Sequence, residues 1–373
     1  MRHYSFKTLT FAACLLCSMS AVAAEAYACY TPSNTTLTFY CDNQRDSRES
    51  ITYDLNSDTD APEWYDDGTF ASVTRVVFDT TFADERPTST FAWFGEMSGL
   101  QTIIGLEDNL KTDNVIEMGN MFLGCLSLTS LDLSNFNTVN VKDMSNMFFG
   151  CAYLSSLDLS SFNTVNVTSM HDMFYSCASL TRLDLSNFNT QNVKNMRRMF
   201  DGCSHLTKLD LGGFITDQVE DMHDMFNKCI NLTRLDLSSF NTANVTNMSN
   251  MFKNCKRLTT IYAGSGWSTE AVVASSDMFS ACSNLVGGMG TTFDTNHVDY
   301  AYAHIDGGPS NLGYFALRGD VNGDGQLSIN DVTMLIDQLL SDEVLSAYAD
   351  VNGDGVVTIK YVTDLIDMLL SGN

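Results

Sequence analysis

Basic side chains are scarce in this chain: 20 Lys and Arg stand against 45 Asp and Glu, a formal net charge of −25. Such a surface repels phosphate backbones and anionic headgroups, which argues against nucleic-acid binding and membrane-surface binding. Long apolar runs are also missing, because no stretch after residue 24 could span a bilayer. Catalytic signatures are absent too. The chain holds no G-x-S-x-G, no H-E-x-x-H, no phosphate loop and no Cys/His pair at mechanistic spacing. His171 and His223 share one phase of a repeat but stand two units apart, roughly 10 Å at strand spacing, too far to share a metal. His205 falls at another phase. These residues point away from an enzyme.

The first residues are a targeting signal rather than part of the fold. Arg2 and Lys7 precede an apolar run from Thr8 to Ala24, and Ala21-Val22-Ala23 fits a signal-peptidase site. Residues 1–23 are expected to be removed on export, with a lipid-modified Cys14 as the alternative start. The leader takes two of the 20 basic residues and none of the 45 acidic ones, leaving about −27 on the mature chain. An anionic, exported chain suits encounters with cations.

Cysteine usage divides into three groups. Cys14 and Cys17 leave with the leader. Cys29 and Cys41 flank "YTPSNTTLTFY", which reads as a β-hairpin whose strands they could bridge. Cys125, Cys151, Cys177, Cys203, Cys229, Cys255 and Cys282 recur once per repeat. An odd set at one phase reads as a buried small apolar position rather than as disulfides.

The repeat sets the architecture. Met-Phe occurs at 121, 147, 173, 199, 225 and 251, always 26 residues apart, and again at Met278-Phe279 after 27. Leu154, Leu157 and Leu159 in "LSSLDLS" have the spacing of a short strand. Val167, Met170, Met173, Phe174 and Cys177 recur at three- and four-residue intervals, which predicts a helix with Asn166 as its N-cap. A strand, turn and helix in 26 residues cannot bury an apolar face alone, but stacked units can. Seven coils predict a parallel sheet about 30 Å long. End coils need caps, and Trp267, in the irregular unit "LTTIYAGSGWS", reads as cap packing.

The unit "MFxxCxxLxxLDLSxFNTxNVxxM" resembles the repeat of the BspA-like leucine-rich surface proteins of bacteria, over Phe91 to about Leu285. The flanking "WYDDGTFASVTRVVFDTTFADERPTSTFAWF" and "GGMGTTFDTNHVDYAYAHIDGGPSNLGYF" resemble the β caps of that family. The resemblance implies a surface role in adhesion, by binding proteins or other host components.

Within the strands an aspartate recurs at Asp132, Asp158, Asp184, Asp210 and Asp236. In L-D-L it faces away from the leucines, towards solvent, and reads as a solubilising position. Arg182, Lys208 and Arg234, two residues earlier, relieve part of the repulsion. Hydrolytic chemistry would instead need two carboxylates about 5–10 Å apart in a cleft.

Two acidic loops end the chain, "DVNGDGQLSIND" from Asp320 and "DVNGDGVVTIKY" from Asp350. In a twelve-residue EF-type loop, positions 1, 3, 5, 7, 9 and 12 surround Ca²⁺ with oxygens, and Gly at 6 makes the turn. The first loop supplies Asp320, Asn322, Asp324, the Gln326 carbonyl, Ser328 and Asp331. The second supplies Asp350, Asn352, Asp354, the Val356 carbonyl and Thr358, but has Tyr361 at position 12. A phenol cannot replace a carboxylate at neutral pH, so one tight and one weak calcium site are expected.

Each loop feeds a near-identical helix, without the entering helix of an EF-hand. The pattern resembles the type I dockerin module over about Gly319 to Leu370. That implies Ca²⁺ as cofactor and a cohesin partner. Ile329-Asn330 and Ile359-Lys360 occupy positions where hydroxyl residues are usual, which widens the expected partner to a cohesin-like protein or another surface receptor.

The expected fold is an α/β leucine-rich-repeat-like solenoid with β caps, followed by a small α-helical calcium-loop domain. Its segments are the signal peptide (1–23), N-terminal β cap (24–92), repeats (93–286), C-terminal cap (287–317) and dockerin-like module (318–373). The expected function is that of a secreted or cell-surface, non-enzymatic binding protein. Its solenoid recognises a protein or glycan and its tail anchors it. The alternative is a subunit or enzyme of an extracellular polysaccharide-degrading assembly.

Overall fold

A computed structural model describes residues 23–341 and 357–371. The expected leader falls outside them apart from Ala23.

The chain opens with a five-stranded sheet. β1 (Glu25–Thr31) pairs antiparallel with β2 (Thr36–Asp42) and β3 (Ile51–Asp54), and β2 pairs parallel with β4 (Arg75–Phe78). β4 pairs parallel with β5 (Thr102–Ile104), so the cap sheet runs on into the first coil. One-turn helices α1 (Glu63–Asp66) and α2 (Leu106–Asn109) close its sides. Beneath the sheet, Phe39 stacks on Phe78 and Trp93 at 4.6 and 4.9 Å, and buried Trp64 donates its indole N–H to the Trp93 carbonyl. These rings seal the apolar end of the first coil from water.

The hairpin register corrects the expected Cys29–Cys41 bridge. Cys29 lies opposite Thr38 and Cys41 opposite Ala26. A three-residue offset puts the two side chains on opposite faces of the sheet, about 10 Å apart along the strand. Both thiols are free.

The coils stack through columns of identical residues. Val141, Met144, Met147, Phe148, Cys151, Leu154, Leu159 and Phe162 of one coil are buried, as are their counterparts in the next. Each large apolar side chain so buried contributes roughly 1.5–3 kcal/mol. The phenyl rings of Phe122, Phe148, Phe174, Phe200, Phe226, Phe252 and Phe279 form one continuous stack, with neighbouring centroids 5.4–5.7 Å apart.

The expected repeat helix does not form. From Met144 to Cys151 the chain makes consecutive turns, and Asn146 and Gly150 sit in the left-handed region at φ 55° and 73°. Alternate amides are used differently. Those of Met147, Phe149 and Cys151 bond back three residues, whereas those of Met144, Asn146, Phe148 and Gly150 donate to carbonyls of the next coil. A helix would keep all these bonds to itself, so here backbone pairing as well as side-chain packing joins the coils. Asn166, expected as an N-cap, instead donates its side-chain amide to the Val139 carbonyl of the preceding coil, at 2.7 Å.

Neither is the expected seven-strand sheet continuous. β6 (Arg182–Asp184) pairs with β7 (Lys208–Asp210), and β8 (Arg234–Leu237) pairs with β9 (Thr260–Ala263). The equivalent segments 130–132 and 156–158 form no strand. Each strand aspartate accepts the amide two residues on, as in Ser186 N–H to Asp184 and Gly212 N–H to Asp210. That turn bends the chain and keeps the strands at three or four residues.

At the far end β10 (Phe315–Leu317) adds parallel to β9 and covers the last sheet edge. Trp267 packs edge-on against Phe315, and its indole N–H reaches the Ala303 carbonyl at 2.9 Å. After β10 come α3 (Ile329–Leu340) and α4 (Lys360–Ser371), which pack around Val321, Val332, Leu335, Tyr361, Val362 and Leu365.

Candidate functional site

The loop between β10 and α3 is folded around two buried carboxylates. Asp320 is 3% exposed and accepts backbone N–H groups from Gly323, Asp324 and Gly325 at 2.7–3.1 Å. Gly323 and Gly325 lie at φ 71° and 79°, a conformation that glycine enters at little cost. Asp331, fully buried, accepts the amides of Asn322 and Ser328. With the Ser328 hydroxyl it forms a capping box at the start of α3, where a carboxylate is favoured by the helix dipole. One residue therefore starts the helix and closes the loop.

Asn322 accepts the Asp324 amide through Oδ1 and donates Nδ2 to Asp324 Oδ2 at 3.0 Å. Gln326 is exposed, and its backbone N–H donates to Asp324 Oδ1. Burial pushes the Asp320 carboxyl above its usual range; the Gly325 amide opposes this and the nearby Asp331 carboxylate adds to it. Among the described residues no three His, Cys, Asp or Glu side chains converge as a ready metal cluster. The donor set nevertheless fits calcium, which takes carboxylate, amide and carbonyl oxygens together. Two inward carboxylates whose hydrogen bonds come mainly from backbone amides are most easily balanced by a cation.

Of the second loop, Asp350, Asn352, Asp354 and Val356 lie outside the described residues. Thr358 is exposed, and its carbonyl accepts the Tyr361 amide at 3.0 Å. The Tyr361 ring is 2% exposed and belongs to the core between α3 and α4.

On the solenoid, Asp132, Asp158, Asp184 and Asp210 are exposed, and Asp236 is half-buried with an ion pair to Arg318 at 3.2 Å. Arg182 reaches Asp184 at 3.8 Å. His171 bonds Asp172 and His223 bonds Asp221, each at 2.9 Å. Asp172 is buried.

The seven repeat cysteines are free and buried. Each thiol donates to a phenylalanine carbonyl of the preceding coil, as in Cys151 to Phe122 at 3.2 Å and Cys177 to Phe148 at 3.1 Å. Burial pushes Cys151, Cys203 and Cys282 up to about 12. A thiol held protonated and out of solvent is a poor nucleophile. Thiol titration of the folded mature protein should therefore find at most the half-buried Cys41 fast, and denaturant should release all nine free cysteines. Disulfides mapped between adjacent coils would contradict this arrangement.

Sequence reasoning did not find Arg318 or Asp306. Asp306 is buried and gathers the amides of Met289, Thr291 and Gly308 in the C-terminal cap. The only sequence signal is its place between histidine, isoleucine and glycines in a segment without periodicity.

Compared with known families, residues 88–209 and 181–293 match the model described as "Mycoplasma protein of unknown function, DUF285". Residues 318–370 match the type I dockerin domain. Among solved structures, a leucine-rich repeat protein from Eubacterium ventriosum is similar at 16% identity, over 75% of this chain and 98% of that one, with a TM-score of 0.27. No curated protein matches.

Proposed function

Because the chain belongs to DUF285, the BspA-like leucine-rich repeat family, and ends in a type I dockerin domain, we propose that it is an extracellular, non-enzymatic binding protein. Type I dockerins are calcium-binding modules that bind cohesin. In this reading the tail anchors the chain to a cohesin-like partner, and the solenoid presents a recognition surface for a protein or glycan. Attachment to an assembly acting on extracellular polysaccharide is the setting that the dockerin favours.

The observation that carries the anchoring role is the loop closed by Asp320 and Asp331, which sets α3 in place. Around it, Ile329 and Ile359 are 66% and 71% exposed at equivalent positions of the duplicated loops. Exposed apolar pairs of this kind are what a protein partner would cover. The non-enzymatic role rests on the aspartate column. Asp132, Asp158, Asp184, Asp210 and Asp236 each hold the amide two residues on, so the repeat gives them a structural task.

Capture of cohesin-type proteins from the surface fraction of the producing cell tests the reading. The immobilised mature chain should retain them in calcium and release them to chelator, and Ile329→Asp with Ile359→Asp should weaken capture at least about tenfold. Retention unchanged by chelator would refute the anchoring role.

A further inference from the structure

No spacer separates the solenoid from its calcium loop. β10 ends at Leu317, Asp320 begins the loop, and the intervening Arg318 turns back onto the repeats. Its guanidinium Nη1 is 3.2 Å from Asp236 Oδ2 and 3.4 Å from Ser238 Oγ, both in the coil of β8. The loop itself rests on the C-terminal cap. A Cβ placed on Gly325 would stand 3.2 Å from the Met289 sulfur and 3.6 Å from the Asp306 carbonyl oxygen. One on Gly323 would stand 3.7 Å from the Gly288 carbonyl oxygen. The turn glycines required for the loop are therefore also its contact surface with the cap.

That cap surface has one organising group. The buried Asp306 carboxylate holds the Met289 and Thr291 amides, the Thr291 hydroxyl and the Gly308 amide. Gly325 thus meets both Met289 and Asp306, the residue whose carboxylate fixes the segment bearing Met289. A shape change on either side is felt by the other, because close-packed surfaces do not deform independently.

We propose that calcium binding at the Asp320–Asp331 loop is coupled to the C-terminal cap. The loaded loop latches the last coil, and the cap in turn tightens the loop. This deepens the calcium reading above and rests on it. A loop emptied of its ion leaves Asp320 and Asp331 facing each other, which favours opening of the Gly323–Gly325 turn and removes support from Met289. By linkage, whatever stabilisation calcium gives the cap, the cap returns as calcium affinity. The module is then held at a set angle to the solenoid instead of swinging from a tether.

Hydrogen exchange on the mature full chain, in excess calcium and in chelator, separates the possibilities. Calcium should slow exchange in residues 320–331 and also, by about fivefold or more, in residues 287–317. In a Met289→Ala, Arg318→Ala double variant, calcium should still protect the loop. Protection of 287–317 should become independent of calcium, and calcium affinity should fall about fivefold. Protection confined to the loop in the unaltered chain would overturn the coupling and leave the calcium reading standing. A double variant with undiminished coupling and affinity would equally overturn it. No calcium effect in the loop at all would remove the calcium reading and this inference together.

Discussion

Asp331→Ala should abolish the tighter of two calcium-binding events in the mature chain, lowering its affinity by roughly a hundredfold or more. The substitution removes a buried carboxylate that accepts the Asn322 and Ser328 amides and stands at position 12 of the first loop. It also removes half of the capping box that starts α3, so the helix frays and the ligand ring is lost in one step. The second event should be weak from the outset. Tyr361 occupies its position 12, and the ring lies in the core with Val332, Leu335 and Leu365. Tyr361→Asp would supply the missing carboxylate while deleting a buried aromatic, a change of the kind that costs about 3–5 kcal/mol in a core. It should bind calcium more tightly at that site and melt lower without calcium. Titration calorimetry showing two equivalent sites in the unaltered chain would refute this account.

The largest effect on stability is expected within the phenyl stack. Phe174 is fully buried, with Phe148 and Phe200 each 5.7 Å away by ring centroid. Phe174→Ala should cost about 3–5 kcal/mol, because coils fixed by inter-coil hydrogen bonds cannot collapse into the space left. The form of the loss matters as much as its size. Each coil touches only its neighbours, so a weak middle coil should divide one cooperative unfolding transition into two. Urea unfolding followed by circular dichroism, with exchange resolving the two halves, measures both effects. A single transition shifted by less than about 1 kcal/mol would show that the column is not what holds the coils together.

What could be read from the sequence was whatever depends on period alone. The 26-residue step, the buried columns of Met, Phe and Cys, the need for caps and the duplicated loops all follow from spacing. The local backbone did not. Val141, Met144, Met147, Phe148 and Cys151 recur at threes and fours, which an α-helix produces, but two successive four-residue turns produce the same intervals. The two differ in φ at Asn146 and Gly150. The signal was present in the column Asn120, Asn146, Asp172, Arg198, Asp224, Asn250 and Asp277, which apart from Arg198 holds the residues that tolerate the left-handed region. The Cys29–Cys41 bridge failed for a related reason, since proximity in a hairpin depends on register, and a three-residue offset reverses the face. In the tail, the turn at Gly325 and the paired places of Asp320 and Asp331 were legible because a loop of fixed length dictates them. The contact of that loop with Met289 was not, because it joins two segments with no shared pattern.

One feature of the coils bears on how such chains change length. Thr138 donates its hydroxyl to the Asn163 carbonyl and receives the Asn163 amide, and Thr164 does the same with Asn189. The same exchange recurs at the junctions from Thr112 to Thr242, so on this side the coils are similar parts. Loss or duplication of one 26-residue unit preserves this exchange at the remaining junctions, and the 27-residue final step keeps it as well, with Thr242 paired to Ser268 one residue further on. Unequal recombination in whole units is therefore tolerated. Each event moves the first cap relative to the calcium-bearing tail by one coil spacing, about 4.8 Å. The repeat array is a ruler that a lineage can lengthen or shorten without redesigning either end.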